Sequence, residues 1–160
     1  MGRTRRNKET EMGELFRTVI VHLHAGVVHF PIALLLVSVV LDFRAGQSRL
    51  LRRAAWCSLV LGSLATLPAT ITGLLAHLPY ETSPLLPLIE QHQYLAFATT
   101  ALFLVLAGWR WRMLRRGNDI GATLPYAAGA LLGVAVLLFT VYNGHGLVQV
   151  HGIGVTPSEP

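Results

Sequence analysis

Charge is scarce in this chain and cysteine almost missing. Of 160 residues only 13% are Asp, Glu, Lys or Arg, while 52% are hydrophobic and the mean hydropathy is +0.52. A soluble domain carries about a quarter of its residues charged, so water is the wrong solvent for this sequence. The single cysteine, Cys57, excludes an intrachain disulfide framework, a four-thiolate iron–sulfur or zinc site, and the C-x-x-C-H attachment of a c-type haem. Any metal or cofactor must be held by other atoms. The sequence also lacks a G-x-S-x-G nucleophile motif and a phosphate-cradling glycine loop. No carboxylate lies within a long apolar run, which leaves an ion or proton transporter without an obvious relay. We therefore assign no catalytic residue and expect no independent catalytic activity.

What the chain does have is length between its charges. Four stretches carry no Asp, Glu, Lys or Arg: Thr18 to Leu41, Ala54 to Tyr80, Gln91 to Trp109 and Ile120 to Ser158. A helix of about 20 residues crosses a hydrocarbon core of about 30 Å, and each stretch suffices. The spacing predicts spans at about residues 24–43, 54–78, 91–113 and 123–147. The expected fold class is all-α, an integral membrane four-helix bundle with up-and-down threading. It divides into a polar N-terminal tail (1–18), a four-span domain (19–155) and a C-terminal tail (156–160), with both ends read as mobile. In the second span, Gly62, Ser63, Ala65, Thr66, Ala69, Thr70, Thr72 and Gly73 form a small-residue surface, and Gly129 with Gly133 makes a G-x-x-x-G step in the fourth. Such surfaces let helices approach closely, and a flat cofactor also needs a smooth wall. Pro31 and Pro68 are expected to kink or open their helices.

The thirteen Lys and Arg against eight Asp and Glu give a net charge of +5. In a membrane chain this reflects basic cytoplasmic loops, so no nucleic-acid partner is expected. The first connection holds Arg44, Arg49, Arg52 and Arg53 beside Asp42, and the third holds Arg110, Arg112, Arg115 and Arg116 beside Asp119. The second, from Leu78 to Gln91, has Glu81, Glu90, Pro79, Pro84 and Pro87 but no cation. The first and third are therefore expected in the cytoplasm and the second outside. Four spans then put both termini outside as well. The tail cations Arg3, Arg5, Arg6, Lys8 and Arg17 pull the other way, but the eight loop arginines outnumber them and the tail also carries three glutamates. No A-x-A-like cleavage site marks the first span as a signal peptide.

All seven histidines fall on one side of this layout. His22, His24 and His29 open the first span, His77 ends the second, His92 opens the third, and His145 and His151 end the fourth. Counting at 1.5 Å per residue, His29 stands roughly 20 Å above Asp42, within the hydrocarbon, whereas His24 and His92 reach roughly 27 Å, at its edge. His29 is accordingly expected to be the buried member beneath a rim of histidines. An imidazole in lipid is costly and marks a functional site by default, although one hydrogen-bonded across helices is the simpler explanation. Interfacial position alone accounts for His22 and His77.

Two imidazoles from different helices at similar depth are the axial ligands of a b-type membrane haem. His29 with His92 is the first pairing, with His151, His24 and His145 as alternates. Propionates would then face Tyr80, Gln91, Gln93, Tyr94, Tyr142, Asn143 and Arg17. Three or more of the histidines would instead suit copper or zinc, with Glu81 or Glu90 as outer acceptors. A cofactor-free accessory subunit, its histidines hydrogen-bonded across helices and its G-x-x-x-G face docking a larger membrane complex, is the runner-up to haem, and the copper or zinc site is the third reading.

The segments HAGVVHFPIALLL, LATLPATITGLL, HQYLAF and NGHGLVQVHGIGV together resemble the bacterial four-helix membrane family known as domain of unknown function 2231, over about residues 22–155. The resemblance implies His24, His29, His92 and His151 as motif histidines, with Pro31, Gly152 and Gly154 as backbone features. Where the family more often has glycine followed by an acid, this chain has His145 and Gly146, so no role for that acid carries over. Members resemble partners of electron-transfer proteins, some joined to cytochrome-like domains. The resemblance thus implies a bacterial inner-membrane protein in contact with the lipid bilayer and with other membrane or redox subunits, or with further copies of itself.

Overall fold

The computed structural model describes residues 2–153, with side chains from Met12 onward except those of residues 14 and 17. Five helices follow one another: α1 (Gly2–Val27), α2 (His29–Arg44), α3 (Arg49–His77), α4 (Leu86–Leu114) and α5 (Leu124–Gln149), with a 3₁₀ turn at Leu78–Tyr80 after α3. Four segments are long and apolar enough to cross a membrane: Thr18–Arg44, Arg49–Tyr80, Leu86–Leu114 and Leu124–Gln149. The expected spans lie inside these limits to within a residue, and the class is the one expected. The helix ahead of the first span begins at Gly2, so the backbone there is helical. Gly154 and the end from residue 156 fall outside the described residues.

The first span is α1 and α2 together. Its helix is interrupted at Val28, three residues ahead of Pro31, whose ring crowds the carbonyl four positions back. The ladder nevertheless continues across the break, the Val28 N–H reaching the His24 carbonyl at 3.1 Å. Pro68, by contrast, sits inside an unbroken α3. The connections at the arginine end turn through glycines with left-handed backbone, Gly46 at φ 46° and Gly117 at φ 77°. Gly152 at φ 65° does the same after α5, and the Ile153 N–H folds back to the Leu147 carbonyl at 3.0 Å.

Each span packs on the next: α2 and α1 on α3, α3 on α4, α4 on α5. The fourth edge of the bundle is made by α2 against α5, in the half nearer the arginines, and α1 makes no comparable edge with α5. The first and third spans consequently face each other across a diagonal. The main apolar core, Leu35, Val39, Leu59, Phe103, Leu106, Ile120, Tyr126, Ala130 and Leu137, fills the arginine half and the middle. A smaller cluster of Tyr80, Ile89 and Leu147 closes the histidine end. Between the two lies a layer of small and hydroxyl side chains. There Thr70 meets Thr100 at 3.1 Å and Thr99 meets Thr140 at 3.1 Å.

The glycine surfaces serve this packing. Gly62 lies against Leu35, Gly129 against Leu106 and Gly133 against the ring of Phe103, where an added Cβ would stand 2.9, 3.1 and 3.0 Å away. The G-x-x-x-G step is therefore used inside the bundle and is not a free docking face.

Candidate functional site

Two histidines enter the hydroxyl layer. His24, half-buried on α1, donates from Nδ1 to the Ala69 carbonyl of α3 at 3.1 Å, with the Thr72 hydroxyl 3.2 Å from the same nitrogen. His92, half-buried on α4, donates from Nδ1 to the Thr140 carbonyl of α5 at 3.1 Å. A carbonyl can only accept, so Nδ1 carries the proton in both rings. In the neutral imidazole this leaves Nε2 with a free lone pair. No described residue hydrogen-bonds either Nε2.

Each ring also rests on a glycine of the helix that anchors it. A Cβ at Gly73 would stand 3.0 Å from His24 Cε1, and one at Gly144 would stand 2.7 Å from His92 Cε1. The two arrangements are copies of one another: an imidazole on one diagonal helix, a carbonyl and a glycine on the neighbouring one.

The other sequence-selected histidines stand apart from this pair. His29 is the deepest of the seven along the span, yet its ring is exposed on the bundle surface, with Nδ1 on the carbonyl of Ala25 in its own span at 2.6 Å. The buried member is thus not His29, because a helix apolar all round gives no sequence signal for which side turns inward. His22 is also exposed and turned back on its own helix, to the Thr18 carbonyl at 2.7 Å. His145 and His151 are exposed at the end of the fourth span. His77 pairs with Gln93 across α3 and α4. Among the described residues no group of three His, Cys, Asp or Glu side chains is placed to hold a metal ion.

The opposite end of the bundle holds a polar centre that the sequence reading missed. Arg110 is wholly buried, donating to Asp42 at 2.5 Å and, through Nε and Nη2, to the two oxygens of Asp119 at 3.0 and 3.3 Å. Its guanidinium also lies over the rings of Tyr126 and Trp56, 5.4 and 5.9 Å from their centroids. Gly121 leaves the space for this, since a Cβ there would collide with both Arg110 and Asp42. Burial alone would raise the Asp119 carboxyl, but the Gly121 N–H and the Arg110 guanidinium outweigh it and hold it below the ordinary carboxylate range. The available signal was that Asp42 and Asp119 are the only acids among the loop arginines.

A family model described as a predicted membrane protein, DUF2231, matches residues 21–157. The chain belongs to the DUF2231 family. No curated protein and no solved structure matches it. The match takes in both imidazoles, both anchoring carbonyls and both glycines of this DUF2231 chain, and with the four spans it makes the protein an integral membrane protein.

Proposed function

We propose that this protein is a b-type haem subunit of a larger electron-transfer complex in the bacterial cytoplasmic membrane, with the iron held between Nε2 of His24 and Nε2 of His92. The observation that supports this reading is the duplicated arrangement of the two rings. Each is locked by a hydrogen bond from Nδ1 to a carbonyl of the adjacent helix, which fixes the tautomer, aims the ring and raises the basicity of the free nitrogen. That is what a haem iron asks of an axial imidazole. Bound there, the haem would supply one-electron exchange. The protein's part is to present two preset lone pairs on rings seated against Gly73 and Gly144.

Several features favour haem over copper or zinc. A haem needs two protein ligands and a zinc or copper site three or four. His24 and His92 come from diagonal spans, so the two rings enter the bundle from different sides. The arginine-rich connections argue for the histidine end facing outward, with both termini on that side.

The deciding experiment is an absorption spectrum of the detergent-purified protein from a haem-replete host, oxidised and dithionite-reduced, with a haemochrome assay on the same sample. A Soret band with sharp reduced α and β bands at stoichiometric haem is the expected result. A featureless spectrum would sink the assignment and favour a cofactor-free subunit, in which the same hydrogen bonds only tie helices together.

A further inference from the structure

One buried nitrogen beside the two rings is left without a partner. His77 closes α3 four residues beyond Gly73, hence on the same helix face and about 6 Å further along the axis. Gly73 is the residue on which the His24 ring rests, so His77 is the next side chain of α3 on that face. Opposite it, Gln93 directly follows His92 on α4. The two side chains meet, Nδ1 of His77 standing 2.6 Å from Oε1 of Gln93, and join α3 to α4 above the paired imidazoles. The other nitrogen of His77, Nε2, is shut away from solvent and has no hydrogen-bond partner among the described residues. Such an atom is costly unless a bound group completes it.

The chemistry of that group follows from its surroundings. Among the residues whose side chains are described, the histidine end carries no Lys or Arg, and the shielded, unpartnered nitrogen of His77 is the donor it offers to a carboxylate. The Nε2 of His77 can offer a proton whichever way the Gln93 amide is turned. With Oε1 toward the ring, it does so as an imidazolium that a carboxylate stabilises. With the amide nitrogen toward the ring, it does so as the neutral Nε2–H tautomer. Resting on the haem reading above, we propose that His77, held by Gln93, donates its Nε2–H to a propionate carboxylate of the bound haem. Neighbouring His24 and His92 hold the iron and His77 grips the rim, a positioning role.

The test compares haem b with its dimethyl ester, in which both propionates are neutral. Full-length protein from haem-limited cells is titrated with each, as wild type, His77→Gln and His77→Phe. Both variants are expected to bind haem b about tenfold or more weakly than wild type, the effect of one charge-assisted hydrogen bond. All three proteins are expected to bind the diester alike, which also shows that the variants still fold. Equal losses for both haems, or no loss for either, would overturn the role of His77 while leaving the His24 and His92 site standing. A wild type that takes up neither haem would overturn the site itself.

Discussion

Arg110 and Asp42, 68 positions apart in sequence, meet at 2.5 Å at the point where all four spans converge on one charge. Asp42 comes from the first span, Trp56 from the second, Arg110 from the third and Tyr126 from the fourth. The guanidinium is fully shielded and the Asp42 side chain nearly so, and Asp42 Oδ1 has no hydrogen bond of its own. Removing one partner of such a pair leaves the other charge stranded. Arg110→Met is expected to cost about 3–5 kcal/mol of bundle stability, and Arg110→Met with Asp42→Leu to recover much of it. Thermal unfolding in detergent followed by circular dichroism reads both. A single variant as stable as wild type would show that the pair is ornamental.

Asp119 makes the same centre sensitive to acid. Its carboxyl titrates below the ordinary value of about 3.9 in the folded protein, so it binds protons less readily folded than unfolded. The stability it adds is complete above about pH 4 and is lost as the pH falls through the lower, folded value. Asp119→Asn should therefore lower the melting temperature at pH 6, and the gap to wild type should close as the pH approaches 3. A gap that stays constant with pH would mean that the ionised carboxylate contributes nothing. Because the side chain is partly open to solvent, the effect at pH 6 should be modest.

The sequence made four spans and a shared histidine side legible because both depend only on where charges interrupt apolar runs. The direction a side chain faces was not legible. In water a helix shows an apolar stripe toward the core and a polar face outward, and the pattern gives its rotation. In a bilayer both faces are apolar, and Phe30, a large apolar side chain, is 72% exposed. Depth alone therefore pointed to His29, whereas rotation places His24 against Ala69 and Gly73. The arginine centre was hidden for another reason. Arg110 lies among loop arginines, and nothing local separates the one that turns inward from Arg112, Arg115 and Arg116, which do not. The pairing of the G-x-x-x-G step with Phe103 and Leu106 likewise needed the neighbouring helix.

The two glycines under the imidazoles predict a graded series. At Gly144 a Cβ would lie 2.7 Å from the His92 ring, closer than any real contact of that kind, while at Gly73 the distance to the His24 ring is 3.0 Å. Gly26, with nothing within 4 Å, is the control. Gly144→Ala is expected to destabilise the protein by about 1–3 kcal/mol through overpacking, Gly73→Ala by less, and Gly26→Ala not at all. Melting curves of the three variants give the order. Equal behaviour of Gly144→Ala and Gly26→Ala would mean that the His92 ring is free to move and not held for a ligand.

The choice between His24 and His29 is the sharpest test of the site. Both rings have Nδ1 on a carbonyl, but His24 uses a neighbouring helix and enters the interior, whereas His29 uses its own span and stays outside. An iron ligated inside the bundle depends on the first arrangement only. His24→Gly and His92→Gly should each abolish the reduced α band in cells supplied with haem, and His29→Gly should retain it. Loss of the band could also follow from a collapsed fold, so the glycine variants are treated with free imidazole, which fits the space the side chain vacates. Return of the spectrum on adding imidazole identifies a ligand, because a helix-tying hydrogen bond leaves no bound iron to report. If His29→Gly lost haem and His24→Gly kept it, the interior pair would be the wrong one, and the exposed face of the first span would have to bind haem between protein copies.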